Sequence, residues 1–218
     1  MPPTKKTLMD GFRLMLKRFG PRGWWPGETP FEVMVGAILT QNTNWRNVEK
    51  AIGNLEAADA LDPRVMLEIS PHRLAALIKP AGYFRVKAKR LRHFLKYFVE
   101  NYDGSARKMA RRDLGELRPE LMAVNGIGPE TADSILLYAL KKPLFVIDAY
   151  TKRILSRHGL CAEDDTYDDL QELFMDRLAK DIPLYNEYHA LIVETGKDFC
   201  RTNPRCDECP LNGWNDLP

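Results

Sequence analysis

Apolar residues recur at three- and four-residue spacing along most of this chain, a pattern typical of helices that bury one face. The pattern predicts helices at residues 8–19, 31–42, 45–57, 63–68, 71–78, 84–100, 117–123, 129–141, 149–157, 166–179 and 184–196. The best β-like run, LFVI at 144–147, joins two helical patterns and has no second strand to pair with. We therefore predict an all-α fold.

Residues 121–151, LMAVNGIGPETADSILLYALKKPLFVIDAYT, combine a glycine turn, a helix and an aspartate. Gly126 and Gly128 bracket Ile127, so the backbone can turn tightly and come close to a ligand. Pro129 suits the first turn of a helix, whose amides bind phosphate without any basic side chain. The segment therefore predicts contact with the DNA backbone. A structural helix–turn–helix corner, in which Asp148 only caps the next helix, is the alternative.

The hairpin, its helix and the Asp-Ala-Tyr-Thr-Lys-Arg segment together resemble the helix-hairpin-helix, Gly/Pro-rich, Asp family of DNA glycosylases typified by endonuclease III. The resemblance extends from near residue 31 to Cys209. It implies two helical domains, a barrel-like one at 28–142 and a second formed by 1–27 with 143–218, and a cleft between them that holds the damaged base.

The same resemblance implies roles for individual residues in base excision repair of double-stranded DNA. Asp148 is the implied catalytic residue, at the rim of the cleft. The implied backbone clamp of the hairpin consists of Val124, Asn125, Gly126, Ile127, Gly128 and Thr131.

One departure from the family bears on the mechanism. Members that also cleave the DNA strand carry a lysine two residues after the second glycine of the hairpin, where this chain has Glu130. A carboxylate cannot form a Schiff base, so we expect a monofunctional DNA glycosylase without AP lyase activity. Asp148 would then stabilise a cationic sugar or activate the attacking water. The alternative is a relocated amine at Lys141, Lys142 or Lys152.

Three of the four tryptophans lie near the amino-terminal end of the chain. A tryptophan pair beside a proline is commonly a core or loop anchor, yet a glycosylase also needs aromatic faces to hold a flipped base. The Trp-Trp-Pro signature, the Thr-Gln-Asn-Thr segment and the Gly-x-Gly-x-Glu hairpin resemble the 3-methyladenine DNA glycosylase III branch. That resemblance implies an alkylated purine in a pocket formed by Trp24, Trp25, Pro26, Trp45 and Glu130.

Two more positions match DNA contacts of the family. Gln41 corresponds to the residue that fills the gap left by the extruded base, and Tyr83 to the wedge on the opposite strand. The alternatives are that Gln41 closes the helix that begins near Phe31, and that Tyr83 is a partly buried loop aromatic.

Cys200, Cys206 and Cys209 form a C-x5-C-x2-C run that resembles the loop holding a 4Fe-4S cluster in much of this family. Such a cluster ordinarily needs four thiolates, and Asn215 stands near the place of the fourth. Three readings stay open: a cluster completed by water or by a carboxylate such as Asp216, a zinc site, or a loop without metal.

Net charge is only +2, but its distribution is uneven. Residues 85–120 contain 11 basic and 5 acidic residues, whereas 161–185 contain 2 basic and 8 acidic ones. We expect the basic stretch to flank DNA and the acidic one to face away, although two solvated helix faces would give the same counts.

No apolar run is long enough for a spanning helix or a secretory signal, so we expect a cytoplasmic, nucleoid-associated monomer without a membrane partner.

Two other functions remain open at this level. One is a glycosylase for another damaged or mismatched base that uses the same Asp148. The other is a non-catalytic helix-hairpin-helix protein that only binds DNA.

Overall fold

The computed structural model describes residues 3–214, which fold as α-helices joined by turns and contain no β-strand. The all-α prediction is confirmed. The chain divides into two units, a continuous one at Pro26–Lys142 and a discontinuous one made of Met1–Trp25 and Pro143–Pro218. None of the described helices is both long and apolar enough to cross a membrane.

The continuous unit contains eight of the described helices. They are α2 (Pro30–Leu39), α3 (Trp45–Ala57), α4 (Pro63–Glu68), α5 (Pro71–Leu77), α6 (Phe84–Tyr102), α7 (Ala106–Met109), α8 (Leu114–Met122) and α9 (Pro129–Ser134). Helix α9 continues as a π-helical turn at Ile135–Ala139. Residues 32–39 of α2 are all buried, because that helix is apolar on every side and packs against α6, α3 and α9.

Side-chain caps fix where most of these helices begin. Thr29, Asn44, Asp62, Ser70 and Asp113 each accept a hydrogen bond from a backbone amide in the first turn of the helix that follows. Helix α6 differs, since it starts after Tyr83, whose backbone is left-handed at φ 44°.

The discontinuous unit contains α1 (Lys5–Phe19), α10 (Ala149–Arg157), α11 (Tyr167–Met175) and α12 (Ile182–Asp198). Helix α12 packs against α1 and α10. Gly196 permits the second contact, because a Cβ there would collide with the ring of Tyr150 on α10. The rings of Phe145, Phe174 and Tyr188 form the aromatic part of the core, with Phe145 and Phe174 stacked 4.0 Å apart.

The apolar run at 144–147 is buried and lies in neither a helix nor a strand. Two of its polar backbone groups bond to side chains of helix α11 and not to a partner strand. Gln171 Nε2 donates to Phe145 O at 2.6 Å, and the amide of Ile147 donates to Tyr167 Oη at 3.3 Å. A side chain can therefore replace the β-ladder that this sequence lacks.

Candidate functional site

Asp148 is the residue before α10 and caps that helix with one carboxylate oxygen. Its Oδ1 accepts hydrogen bonds from Thr151 N at 2.7 Å and Thr151 Oγ1 at 2.8 Å. Its other oxygen, Oδ2, lies 3.7 Å from Nε2 of His189 on α12. The cap that the sequence offered as an alternative is therefore present, and it uses only one of the two oxygens.

His189 is 5% exposed, and its surroundings control its charge. Burial lowers the pKa of His189, while the nearby Asp148 carboxylate raises it and the Lys197 ammonium lowers it. Because burial is the largest of these effects, the imidazole is neutral at neutral pH. Asp148 thus faces an uncharged ring that fills space beside Oδ2. This neighbour could not be identified from sequence, because a single histidine in a helical pattern has no motif around it.

Trp24 and Trp25 lie in the loop after α1, and helix α12 holds that loop in place. The Glu187 carboxylate accepts hydrogen bonds from Arg22 N at 2.5 Å and Gly23 N at 3.3 Å, directly before the two tryptophans. The two indole rings meet edge to face at 5.6 Å. Glu187 was not among the residues that the sequence singled out.

Trp24 has two features that bear on ligand binding. Its indole N–H is buried and has no hydrogen-bond partner within residues 3–214, so a donor is available to a ligand. The Lys197 ammonium lies 5.6 Å from the centre of its ring, within the range of a cation–π interaction.

The hairpin belongs to the continuous unit, between α8 and α9. Gly126 has φ 95°, and a Cβ there would collide with the Arg90 side chain. Gly128 instead has open space where a Cβ would stand, so the backbone is approachable at that glycine. Val124 and Ile127 bury their side chains. The two helices are joined by Arg118, which donates to both carboxylate oxygens of the buried Asp133 at 2.8 and 3.2 Å.

Gln41 does not merely close α2, which ends at Leu39. Its Nε2 donates to Gly126 O at 3.0 Å and to Thr131 Oγ1 at 2.9 Å, and its Oε1 accepts from the guanidinium of Arg90. The side chain therefore lies against the hairpin. Arg90, which the sequence did not single out, contacts both Gln41 and Gly126.

Tyr83 is 73% exposed, which excludes the alternative of a partly buried loop aromatic. Lys87 on α6 links the loop of Gln41 to the loop of Tyr83 through hydrogen bonds to the backbone of both. Lys87 is 1% exposed, and its Nζ donates to Leu39 O at 2.8 Å and Ala81 O at 2.7 Å. Burial, and secondarily the charge of Arg90, lower the pKa of Lys87 to about 8.

The remaining pocket candidates occupy different environments. Trp45 is the first residue of α3 and is half-buried, whereas Pro26 is exposed. Glu130 lies in the first turn of α9, where a carboxylate interacts favourably with the helix dipole.

The three cysteines of the carboxyl-terminal loop line one cavity of about 80 Å³ together with His158. Two arginines of α10 hold this loop. Arg153 Nε donates to Cys200 O at 2.7 Å, and Arg157 Nη1 contacts Cys200 Sγ at 3.2 Å and Arg201 O at 2.6 Å.

A 4Fe-4S cluster does not fit the residues described here. Its usual donor set is four thiolates, and the loop offers three. Although these thiols line one cavity, no three His, Cys, Asp or Glu side chains in the described chain converge closely enough to hold a metal ion. Residues can line one cavity without pointing at a common centre, and a bound metal ion requires such a centre. Asn215 and Asp216, considered above near the fourth position, lie outside the described residues.

Comparison with known proteins places these features in context. The sequence model of the HhH-GPD superfamily of base excision DNA repair proteins matches residues 35–180. The chain is 51% identical over 202 residues to "Putative DNA repair glycosylase MJ1434" of Methanocaldococcus jannaschii. The alignment covers 92% of this chain and 91% of that one. It is 31% identical over 200 residues to endonuclease III of Thermotoga maritima, covering 91% and 87%.

A solved structure gives a further comparison. The crystal structure of H. pylori 3-methyladenine DNA glycosylase (MagIII) bound to 1,N6-ethenoadenine superposes with a TM-score of 0.75 and 29% sequence identity. The match covers 89% of this chain and 98% of that one.

Proposed function

Because the chain belongs to the HhH-GPD superfamily of base excision DNA repair proteins, we propose that it is a monofunctional DNA glycosylase that releases alkylated purines and leaves the strand uncut. The observation that carries this proposal is the arrangement at Asp148. A helix cap needs one acceptor oxygen, and Oδ1 fulfils that need with its two bonds from Thr151. Oδ2 is thereby held at a fixed position, where it can stabilise positive charge on the sugar.

The proposed reaction breaks the bond between C1′ and the base nitrogen. The bonding electron pair leaves with the base, and positive charge develops on the sugar. Water then adds to C1′ and loses one proton to solvent, which leaves a neutral abasic sugar. A fixed carboxylate stabilises that charge without reorganising during the reaction. Because the Asp148 side chain is only 10% exposed, solvent screens this interaction less than it would at the surface.

An alkylated purine is a good leaving group and can also stack on the tryptophan rings. Alkylation at N3 or N7 makes the base cationic, so the departing electron pair neutralises it and little acid catalysis is required. A cationic base also gains roughly 1 to 2 kcal/mol from an indole face. The buried indole N–H of Trp24 can donate to such a ligand. The H. pylori relative, a 3-methyladenine glycosylase, supports the same substrate class.

Absence of strand cleavage is proposed from Glu130. The lyase reaction requires an amine that attacks C1′ to form a Schiff base, and a carboxylate in the first turn of α9 cannot supply one. The 31% identity to a protein named endonuclease III makes strand cleavage the second candidate function. Lys197 is the amine to test in that case, because it lies beside Trp24.

The decisive experiment uses duplexes that each carry one lesion: 3-methyladenine, 7-methylguanine, 1,N6-ethenoadenine, uracil, hypoxanthine or thymine glycol. Base release is measured directly, and strand breaks are scored with and without hot alkali. We expect release of the alkylated purines and breaks only after alkali. Release confined to uracil, hypoxanthine or thymine glycol would contradict the substrate class. Breaks without alkali would contradict the monofunctional mechanism, and their loss in Lys197→Gln would identify Lys197 as the amine.

A further inference from the structure

A basic groove runs between α5 and α6 in the continuous unit, with a volume of about 740 Å³. Its floor is apolar, formed by Phe84 and alanines of the two helices. Its polar lining is entirely basic and consists of Lys79, Arg85, Lys89, Arg92, His72 and His93. No carboxylate is among the eleven residues that line it.

The cations of the basic groove are uncompensated. Across residues 3–214, no ion pair joins Lys79, Arg85 or Lys89 to a carboxylate, although many other surface cations of this chain have such partners. Arg92 is oriented by Leu67 O and Ile69 O at 2.9 and 3.0 Å. Like charges held together without counter-charges favour an anionic occupant.

The basic groove is continuous with the hairpin surface. Arg85 and Lys89 also line a second cavity of about 550 Å³, together with Arg90, Asn125 and Gly126 of the hairpin region. His93 Nδ1 lies 3.2 Å from Asn125 O, so the two surfaces share a contact. An occupant of the groove therefore lies next to whatever binds the hairpin.

Tyr83 indicates which DNA strand is involved. Lys79 precedes Tyr83 by four residues, and Phe84 and Arg85 follow it directly, so the groove begins beside this exposed ring. Under the proposed function, Tyr83 is the wedge on the strand opposite the lesion. A groove beside the wedge then lies along the undamaged strand.

We propose that the basic groove binds the sugar-phosphate backbone of the undamaged strand. The assignment of the strand rests on the proposed function, but the binding itself does not depend on catalysis. The groove adds phosphate contacts next to those of the hairpin. An acidic protein segment is the other occupant that this chemistry could accept, and the experiment distinguishes the two.

Binding is measured by fluorescence anisotropy on a duplex with a tetrahydrofuran abasic-site analogue, which cannot be hydrolysed. Lys79→Gln removes one cation from the groove alone, and Lys89→Gln is the second variant. Each lost phosphate contact lowers the slope of log K against log salt concentration by about 0.9. The matched control is Lys96→Gln, which removes the same charge from an exposed site on α6 outside the groove and keeps the wild-type slope.

The strand is identified with neutral methylphosphonate linkages placed in one strand at a time. We expect neutral linkages on the undamaged strand to weaken wild-type binding but to have little further effect on Lys79→Gln, because both changes remove the same contact. An unchanged salt slope in both variants would overturn the proposal and leave an acidic protein as the occupant. Sensitivity only to linkages in the damaged strand would overturn the strand assignment. Neither result depends on base release, so the glycosylase proposal is tested separately.

Discussion

At Asp148 the helix cap and the proposed chemistry use different oxygens of one carboxylate, so a substitution can separate them. In Asp148→Asn, the amide oxygen still accepts from Thr151 and caps α10, while the negative charge is lost. We expect base release to fall by at least about 100-fold, a loss typical of a removed electrostatic group. Thermal stability and binding to an abasic-site duplex should stay near the wild-type values.

Asp148→Ala provides the comparison, because it removes the cap as well and should cost about 1 kcal/mol of stability. Equal base release by wild type and Asp148→Asn, measured in single-turnover assays, would show that the carboxylate only caps the helix.

Lys87 makes stability depend on pH. Its folded pKa of about 8 lies below the ordinary 10.5, so between these values the folded protein holds fewer protons than the unfolded chain. The free energy of unfolding therefore rises with pH across this window, and the cost of burying the charge is fully present below pH 8. The gain is at most roughly 3 kcal/mol.

Lys87→Met tests this dependence, since Met fills the space and does not titrate. Urea denaturation of both proteins from pH 7 to 10 should show the wild type gaining stability relative to the variant as pH rises. Parallel curves for the two proteins would contradict a lowered pKa of Lys87.

Among the helices, α12 positions the tryptophan loop through Glu187. Glu187→Ala removes both acceptors of the loop amides before Trp24, and we expect kcat/KM on alkylated DNA to fall roughly 10- to 100-fold through misplacement of the rings. Glu187→Gln keeps one acceptor oxygen and should retain more activity. Binding to undamaged duplex should not change.

Glu172→Ala on α11 is the control, because it removes the same charge from an exposed position of the same unit. If Glu187→Ala loses activity equally on every lesion and also binds undamaged DNA more weakly, the tryptophan loop does not select the base.

Helices could be predicted where apolar periodicity and a capping residue or proline occur together, and not where the periodicity is too short or ambiguous. Helices α3, α4 and α10 begin and end at the residues expected from periodicity, since a cap or a proline marks their starts. Helix α7 was missed, because its four residues are too few to show a period. The π-helical turn at Ile135–Ala139 was read as ordinary helix, since both forms bury the same apolar residues.

For the molecule as a whole, the resemblance to the endonuclease III superfamily is confirmed by the family match. The motif residues could be located from sequence because their spacing is local. Lys87, Arg90, Glu187 and His189 could not, because each contacts residues distant in sequence and carries no motif. The basic stretch 85–120 lies in the continuous unit and the acidic stretch 161–185 in the other, but in the former Lys87 is buried and Arg118 is paired with Asp133.

Trp214 joins the carboxyl-terminal part of the described chain to helix α1. Trp214 is 2% exposed, its Nε1 donates to Thr7 O at 2.8 Å, and Gly11 of α1 leaves room for its ring. Trp214→Ala should therefore cost about 3 to 5 kcal/mol, as for other buried aromatic rings. Cys206→Ser, at an exposed thiol, should cost less than about 0.5 kcal/mol.

The comparison of Trp214→Ala with Cys206→Ser also decides whether the cysteine loop depends on a metal. Because the loop offers only three thiols and Arg153 and Arg157 already hold Cys200, we expect iron and sulfide well below four atoms of each per chain, and the same thermal midpoint before and after treatment with a chelator. A bound cluster would remove this difference, since Cys206→Ser and the chelator would then lower the midpoint as much as Trp214→Ala does. Elemental analysis and thermal denaturation of the purified protein measure both quantities, and a full complement of iron would mean that a ligand outside the three cysteines completes the site.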